Sequence, residues 1–187
     1  MKINLEQIYK ELQAWRAERK ITAESQKEGY LRNIMEELGE LASALRDYEK
    51  FSVTGQDAAK KQKAEHEIID ALCDIAVFTI NAGADIRDEY KPLSIDTANT
   101  FSDLNCLLLY TSTFDFKKIL LNCAVLCEKY GYNFEIAMLE TIKEISSRTG
   151  SYDENAKKWI KDTSDEARKK WYRANYELAK IEKGKTN

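Results

Sequence analysis

The chain has 187 residues, 43% of them hydrophobic, with one proline and seven glycines. That is enough chain for one domain with a substantial core, and too few turn formers for a loop-rich or β-rich fold. With 29 Lys and Arg against 32 Asp and Glu the net charge is −3, which gives no basis for DNA or RNA binding, and no run of about 18 apolar residues offers a membrane span.

Long stretches rich in Glu, Lys, Leu and Ala predict an all-α fold, a helical bundle in a single domain over 1–187. The first helix is expected over 4–19. Its start, MKINLEQIYKELQAW, is amphipathic and contains acids, unlike a secretion signal, so a cytoplasmic protein is expected. The second helix is expected over 24–50, with Leu31, Ile34, Met35, Leu38, Leu41, Ala42 and Leu45 as its apolar stripe. Phe51 to Asp57, with Gly55, reads as a turn, and a third helix follows from Asp57 to Ile86. Pro92 closes the next connection, and the extra helices occupy about 94–147. Phe101 to Tyr110 reads as a helix, although LNCLLLY also suits a strand. A helix over 116–130 stops at Gly131 as a C-terminal cap, and Asn133 or its neighbour caps another to Ser147. Arg148 to Asp153 reads as a turn. The C-terminal basic segment, about 151–182, ends in a helix over 164–182, and the GKTN tail is expected to fray.

Two acid clusters stand out. Glu36, Glu37 and Glu40 share one flank of the second helix, and Glu67, Asp70 and Asp74 share one stripe of the third. The first cluster, taken alone, also suits a solvated helix face. The second sits beside IIDALCDIAVFTINA (68–82), apolar almost all round, where acids are costly unless a cation neutralises them. Lys60, Lys61 and Lys63 lie too near the start of that helix to reach Asp74. Two antiparallel helices joined by a short turn would bring both clusters face to face. Converging carboxylates repel, and all-oxygen ligation favours Mg²⁺ or Mn²⁺, which suits phosphate chemistry.

Other chemistries fit less well. A di-iron bundle needs two E-x-x-H motifs, and the only histidine is His66, followed by Glu67. No supporting motif makes His66 part of a nucleophilic triad, and no glycine-rich phosphate loop is present. Cys73, Cys106, Cys123 and Cys127 form no C-x-x-C pair, so buried free thiols are expected rather than a zinc site.

E-E-L-G-E at 36–40 followed by E-I-I-D at 67–70 resembles the signature of the MazG-like all-α nucleoside triphosphate pyrophosphohydrolases, relatives of the dimeric dUTPases and phosphoribosyl-ATP pyrophosphohydrolase. The stretches EISSRTGSYDENAKKWIKD and KKWYRANY are similar to C-terminal motifs of a phage-type branch. The resemblance implies metal ligands at Glu37, Glu40, Glu67 and Asp70, with Glu36 orienting or deprotonating the attacking water. Asp74 lies on the same face, behind the ligands. It implies Mg²⁺-dependent conversion of a nucleoside triphosphate to the monophosphate and pyrophosphate. It also implies subunit pairing, and a homodimer or dimer of dimers is expected.

Asn81, on the stripe of Asp70 and Asp74, is a candidate for base or sugar contact or simply a helix-end polar residue; Asn33 is a weaker candidate. Arg148, Lys157, Lys158 and Lys161 are candidates for clamping phosphates. Trp159, Trp171, Tyr172 and Tyr176 suit either packing or stacking. The alternatives are a helical interaction module with structural acids, or a hydrolase of another phosphorylated metabolite.

Overall fold

The computed structural model describes residues 5–54, 57–87 and 100–182. Among them, regular structure consists of seven helices, one two-stranded hairpin and a short 3-10 turn. In chain order these are α1 (Leu5–Glu18), α2 (Ala23–Thr54), α3 (Ala58–Asn81), α4 (Thr100–Ser112), α5 (Phe116–Lys129), α6 (Phe134–Ser147), β1 (Gly150–Asp153), β2 (Lys158–Lys161), α7 (Asp165–Lys170) and the 3-10 turn Tyr176–Ala179. The fold is mostly helical, as expected. Gly55, Pro92 and the GKTN tail lie outside the described residues.

Helix α3 is the axis. Ile68, Ile69, Leu72, Cys73, Ile75, Ala76 and Ile80 are all buried, with α2, α5, α6 and α1 packed around them. Its start is capped by Asp57, whose side chain accepts from the Lys60 N–H at 3.0 Å. It stops at Asn81, short of the expected Ile86. Gly83 adopts φ +109° there, a conformation other residues resist, while its N–H bonds the Ile80 carbonyl.

Helix α2 runs through Thr54, so its last turn occupies what reads in sequence as the start of a turn. It lies along α3. Tyr30 near its start meets Thr79 near the end of α3 (3.1 Å), and the Lys61 ammonium lies over the Tyr48 ring near the connection. This antiparallel register sets Glu37 against the stretch between Asp70 and Asp74, and Glu40 against that between Glu67 and Asp70. Ile34, Leu38, Leu41 and Leu45 are buried as expected, but Leu31 and Met35 are 48% and 52% exposed.

The stretch Phe101–Tyr110 is helical, inside α4. Leu107 is buried, whereas Cys106, Leu108 and Leu109 face outward, so Cys106 departs from the expectation of four buried thiols. Helix α5 covers α3 within the same chain with Ile119, Leu120, Cys123, Ala124 and Cys127. Gly131 (φ +86°) and the Asn133 side chain, accepting from the Ile136 N–H at 2.9 Å, divide α5 from α6 as expected.

The C-terminal part departs most from expectation. A hairpin stands where a turn was expected, pairing Gly150 with Lys161 and Asp153 with Lys158. A Cβ at position 150 would collide with the Ile160 carbonyl and press on the Trp159 indole, so this pairing needs glycine. The final helix lasts only from Asp165 to Lys170. Beyond it the backbone amides bond to α6 instead of to one another: Tyr172 N–H to Ser147 Oγ (2.8 Å), Ala174 N–H to Glu144 (2.7 Å) and Asn175 N–H to Glu140 (2.9 Å). The arm then clips to the α5–α6 connection through Asn133 N–H to Ala179 O and Ile181 N–H to Gly131 O, both 2.7 Å. No described helix is long and apolar enough to cross a membrane.

Candidate active site

Glu40, Ser43, Ala44, Glu67 and Asp70 line a cleft of about 340 Å³ between α2 and α3. A second cleft, about 460 Å³, shares Glu67 and Asp70 and continues to Glu144, Arg173 and Tyr176. The two acid motifs thus meet across one helix pair. The cause is local: each motif occupies the flank of its helix that the apolar stripe leaves uncovered, and the short α2–α3 connection fixes the register.

The acids differ in setting. Glu36, Glu40, Glu67 and Asp70 are exposed, while Glu37 and Asp74 are partly buried. Burial, and then the charges of Asp74, Glu40, Asp70 and Glu36, push the Glu37 carboxyl up to about 8. Burial and then Asp70 raise Asp74 to about 7, although Arg148 opposes this. Asp70 is also raised, again mainly through crowding by protein, while the bond from Tyr176 works the other way. Asp70 is itself exposed and lines both clefts. Glu67 forms an i,i+4 pair with Lys63 at 3.2 Å. That pair accounts for one acid of the stripe, but Lys63 does not relieve Asp70 or Asp74.

Tyr176 is a site residue whose role the sequence does not disclose. Its hydroxyl donates to Asp70 Oδ1 at 2.5 Å and lies 2.9 Å from Thr141 Oγ1. Burial, then the neighbouring Cys73 and Asp70, drive its phenol far above the usual range, so it stays protonated and donates. The 3-10 turn that carries it is held by Glu140 and Glu144, two nearly buried acids of α6 that also receive Tyr172 Oη and the Arg148 and Arg173 guanidiniums. Of the four aromatics, Tyr176 is a buried packing residue bonded to a site acid. Trp159 and Trp171 carry stacked cations, Arg19 over Trp159 and Lys161 over Trp171.

The remaining candidates scatter. Asn81 is fully buried at the end of α3, and neither its amide oxygen nor its nitrogen has a partner among the described residues; it lines neither acid cleft. Asn33 lies one turn before Glu36 and Glu37, half-buried. Arg148, just beyond α6, faces the acids through Glu144 and lowers Asp74. Lys157, in a left-handed loop conformation (φ 49°), and Lys158 are exposed on the hairpin and line neither cleft.

Whether a metal suits the site turns on its donors. Among the described residues, no three His, Cys, Asp or Glu side chains stand together as a group that could hold an ion. The donor chemistry nonetheless suits a hard divalent cation: Glu40, Glu67 and Asp70 are oxygen donors on one cleft, and the charges of Asp74, Glu40, Asp70 and Glu36 crowd Glu37. No family model, curated protein or solved structure matches the chain.

Proposed function

We propose that the protein is an all-α hydrolase of the MazG-like type that cleaves nucleoside triphosphates between the α and β phosphates, giving the monophosphate and pyrophosphate. The observation that supports this most is the meeting of Glu40, Glu67 and Asp70 on one cleft, with Glu37 and Asp74 extending the acids along the same helix pair. Glu37, Glu40, Glu67 and Asp70 would hold Mg²⁺ or Mn²⁺. When bound, the ion would neutralise phosphate charge and make water more acidic. Glu36, exposed at the edge of the cluster, orients the attacking water and accepts its proton. Tyr176 fixes one Asp70 oxygen and leaves the other free to ligate. Arg173, on the wall of the adjoining cleft, meets the departing phosphates.

The protein is proposed to act as a homodimer or dimer of dimers. Leu31 and Met35 of α2 and Leu108 and Leu109 of α4 are exposed apolar side chains that such pairing would cover. The deciding experiment supplies a panel of ribo- and deoxyribonucleoside triphosphates with Mg²⁺, Mn²⁺ or EDTA and identifies the products. Monophosphate and pyrophosphate, absent in EDTA, are expected. Orthophosphate and a diphosphate as primary products would overturn the reading.

A further inference from the structure

Tyr176 has to be aimed, and the turn that carries it is too short to aim it alone. Tyr176–Ala179 is a single 3-10 turn of four residues, whose own hydrogen bonds are poorly aligned. The phenolic proton also has two acceptors in reach, Asp70 Oδ1 at 2.5 Å and Thr141 Oγ1 at 2.9 Å. Thr141 can accept because its own proton can go to the Ala137 carbonyl at 3.1 Å. Which oxygen the tyrosine serves therefore depends on where its ring is held.

One flank of α3 holds it. Gln62 Nε2 donates to Glu177 Oε1 at 2.7 Å, and His66 Nε2 meets the same oxygen at 2.7 Å. These bonds, Gln62 first and His66 next, keep the Glu177 carboxyl below the usual range. Glu177 is thus an anion, so His66 carries a proton on Nε2 and donates it; the neutral imidazole suffices. The His66 ring also stands edge-on to Tyr176, with centroids 6.1 Å apart and planes at 65°. His66 therefore reaches Tyr176 twice, by its ring and through the neighbouring Glu177. Lys180 closes the turn onto the same flank, 3.7 Å from Glu177 and 3.9 Å from Glu65. Gln62, Glu65 and His66 stand three and four residues apart, on one side of the helix. Gln62 and His66 line the second cleft together with Glu67 and Asp70. Glu177 is exposed, and exposed pairs add little stability. Two donors converging on one oxygen add direction instead.

We infer that His66 and Gln62 are positioning residues of the acid site: by gripping Glu177 they set the Tyr176 ring so that its hydroxyl serves Asp70 rather than Thr141. The inference rests on the hydrolase reading for the use made of Asp70, whereas the grip itself stands on the bonds from α3 to the turn. Asp70 then keeps one oxygen fixed and presents the other to the cleft in a constant direction.

The test uses the full chain and reads the Tyr176 ring by the carbon NMR shift of its Cζ, assigned by its loss in Tyr176→Phe. Mn²⁺ affinity and triphosphate kinetics are measured beside it. His66→Ala and Gln62→Ala are each expected to move the Tyr176 signal. Losing a direct partner of a metal ligand costs roughly 10- to 100-fold in metal affinity or activity, so one step further out a loss of about three- to tenfold is expected. The loss should fall on kcat more than on KM. His66→Gln, which returns an N–H donor, should recover most of it. In the Tyr176→Phe background His66→Ala should cost no further Mn²⁺ affinity, because both act through one hydroxyl. Tyr9→Phe, which loses a bond to the Ala84 carbonyl beyond the far end of α3, controls for general destabilisation and should change neither signal nor affinity by as much as twofold. A shifted Tyr176 signal in both α3 variants of a chain that hydrolyses no triphosphate would uphold the grip and sink the hydrolase reading. Turnover by the parent with an unmoved Tyr176 signal in both variants would sink the grip alone. Additive losses in the Tyr176→Phe background, or equal losses in Tyr9→Phe, would also overturn it.

Discussion

Replacing Glu37 by Gln isolates the electrostatic cost of the acid cluster. In the folded protein the Glu37 carboxyl titrates at about 8, against an ordinary 4.5. The folded state therefore holds a proton that the unfolded chain has released between those values. Stability linked to Glu37 is complete below pH 4.5 and is lost as pH rises through 8. At 1.36 kcal/mol per pH unit the full shift would be worth ~5 kcal/mol. Glu37 is only partly buried, and solvent screening reduces this to ~1–2 kcal/mol. Glutamine keeps the shape and cannot ionise, so at pH 8.5 without metal Glu37→Gln should raise Tm by roughly 2–8 °C. At pH 5 the two proteins should melt together, because Glu37 is then neutral in the fold. Adding Mg²⁺ at pH 8.5 should shrink or reverse the gap, since only the parent keeps all four carboxylates. Differential scanning calorimetry across pH 5–8.5 reads all three. A variant less stable at pH 8.5, or a difference independent of pH, would refute the crowding of charge around Glu37.

Glu40→Gln, Glu67→Gln and Asp70→Asn are each expected to abolish triphosphate turnover while leaving the circular dichroism spectrum intact; near-parental rates in two of them would show the site to lie elsewhere. Tyr176→Phe removes the bond to Asp70, which should raise the Asp70 carboxyl further and cost about 1 kcal/mol of stability, read by carboxyl NMR titration and urea melts. Gly150→Ala should destabilise by ~1–3 kcal/mol, because the added methyl displaces the Ile160 carbonyl or Trp159; a neutral result would mean the hairpin is not tightly paired. Leu109→Glu should shift light scattering from a dimer or larger species toward the monomer, and an unchanged mass would remove α4 from any interface.

Much of the helical core is legible in the sequence. The apolar run 68–82 announces a buried helix, and Gly131 and Asn133 mark the α5–α6 boundary by backbone conformation and capping. The opposition of the two acid motifs follows from helical period and a short connection. What escapes is decided by distant partners. Residues 171–176 contain no proline or glycine to stop a helix, but Glu140, Glu144 and Ser147 take amides of this stretch, and no local pattern reveals that competition. The same contacts bring Tyr176 to Asp70, which is why its role is invisible in sequence. The hairpin left a signal that could have been read. Asp153 accepts from the Asn155 and Ala156 N–H groups at 2.8 and 2.9 Å, a turn device available to D-E-N-A, and glycine opens the first strand. Leu31 and Met35 fit the apolar stripe of α2, yet they face water, because periodicity says which side of a helix is apolar but not how far its neighbours reach.

The bond between Tyr176 and Asp70 spans 106 positions of chain. At about 5–20 residues per second, translation takes on the order of ten seconds to bring the second partner out after the first. For that interval the α2–α3 pair can form from local contacts, but its carboxylates lack the hydroxyl that later steadies them. Maturation of the acidic cleft is thus ordered in time, with the helical frame early and the clasp late. A ribosome-stalled chain halted between α6 and β1 would hold the first stage in isolation, open to cations and without its hydroxyl clasp.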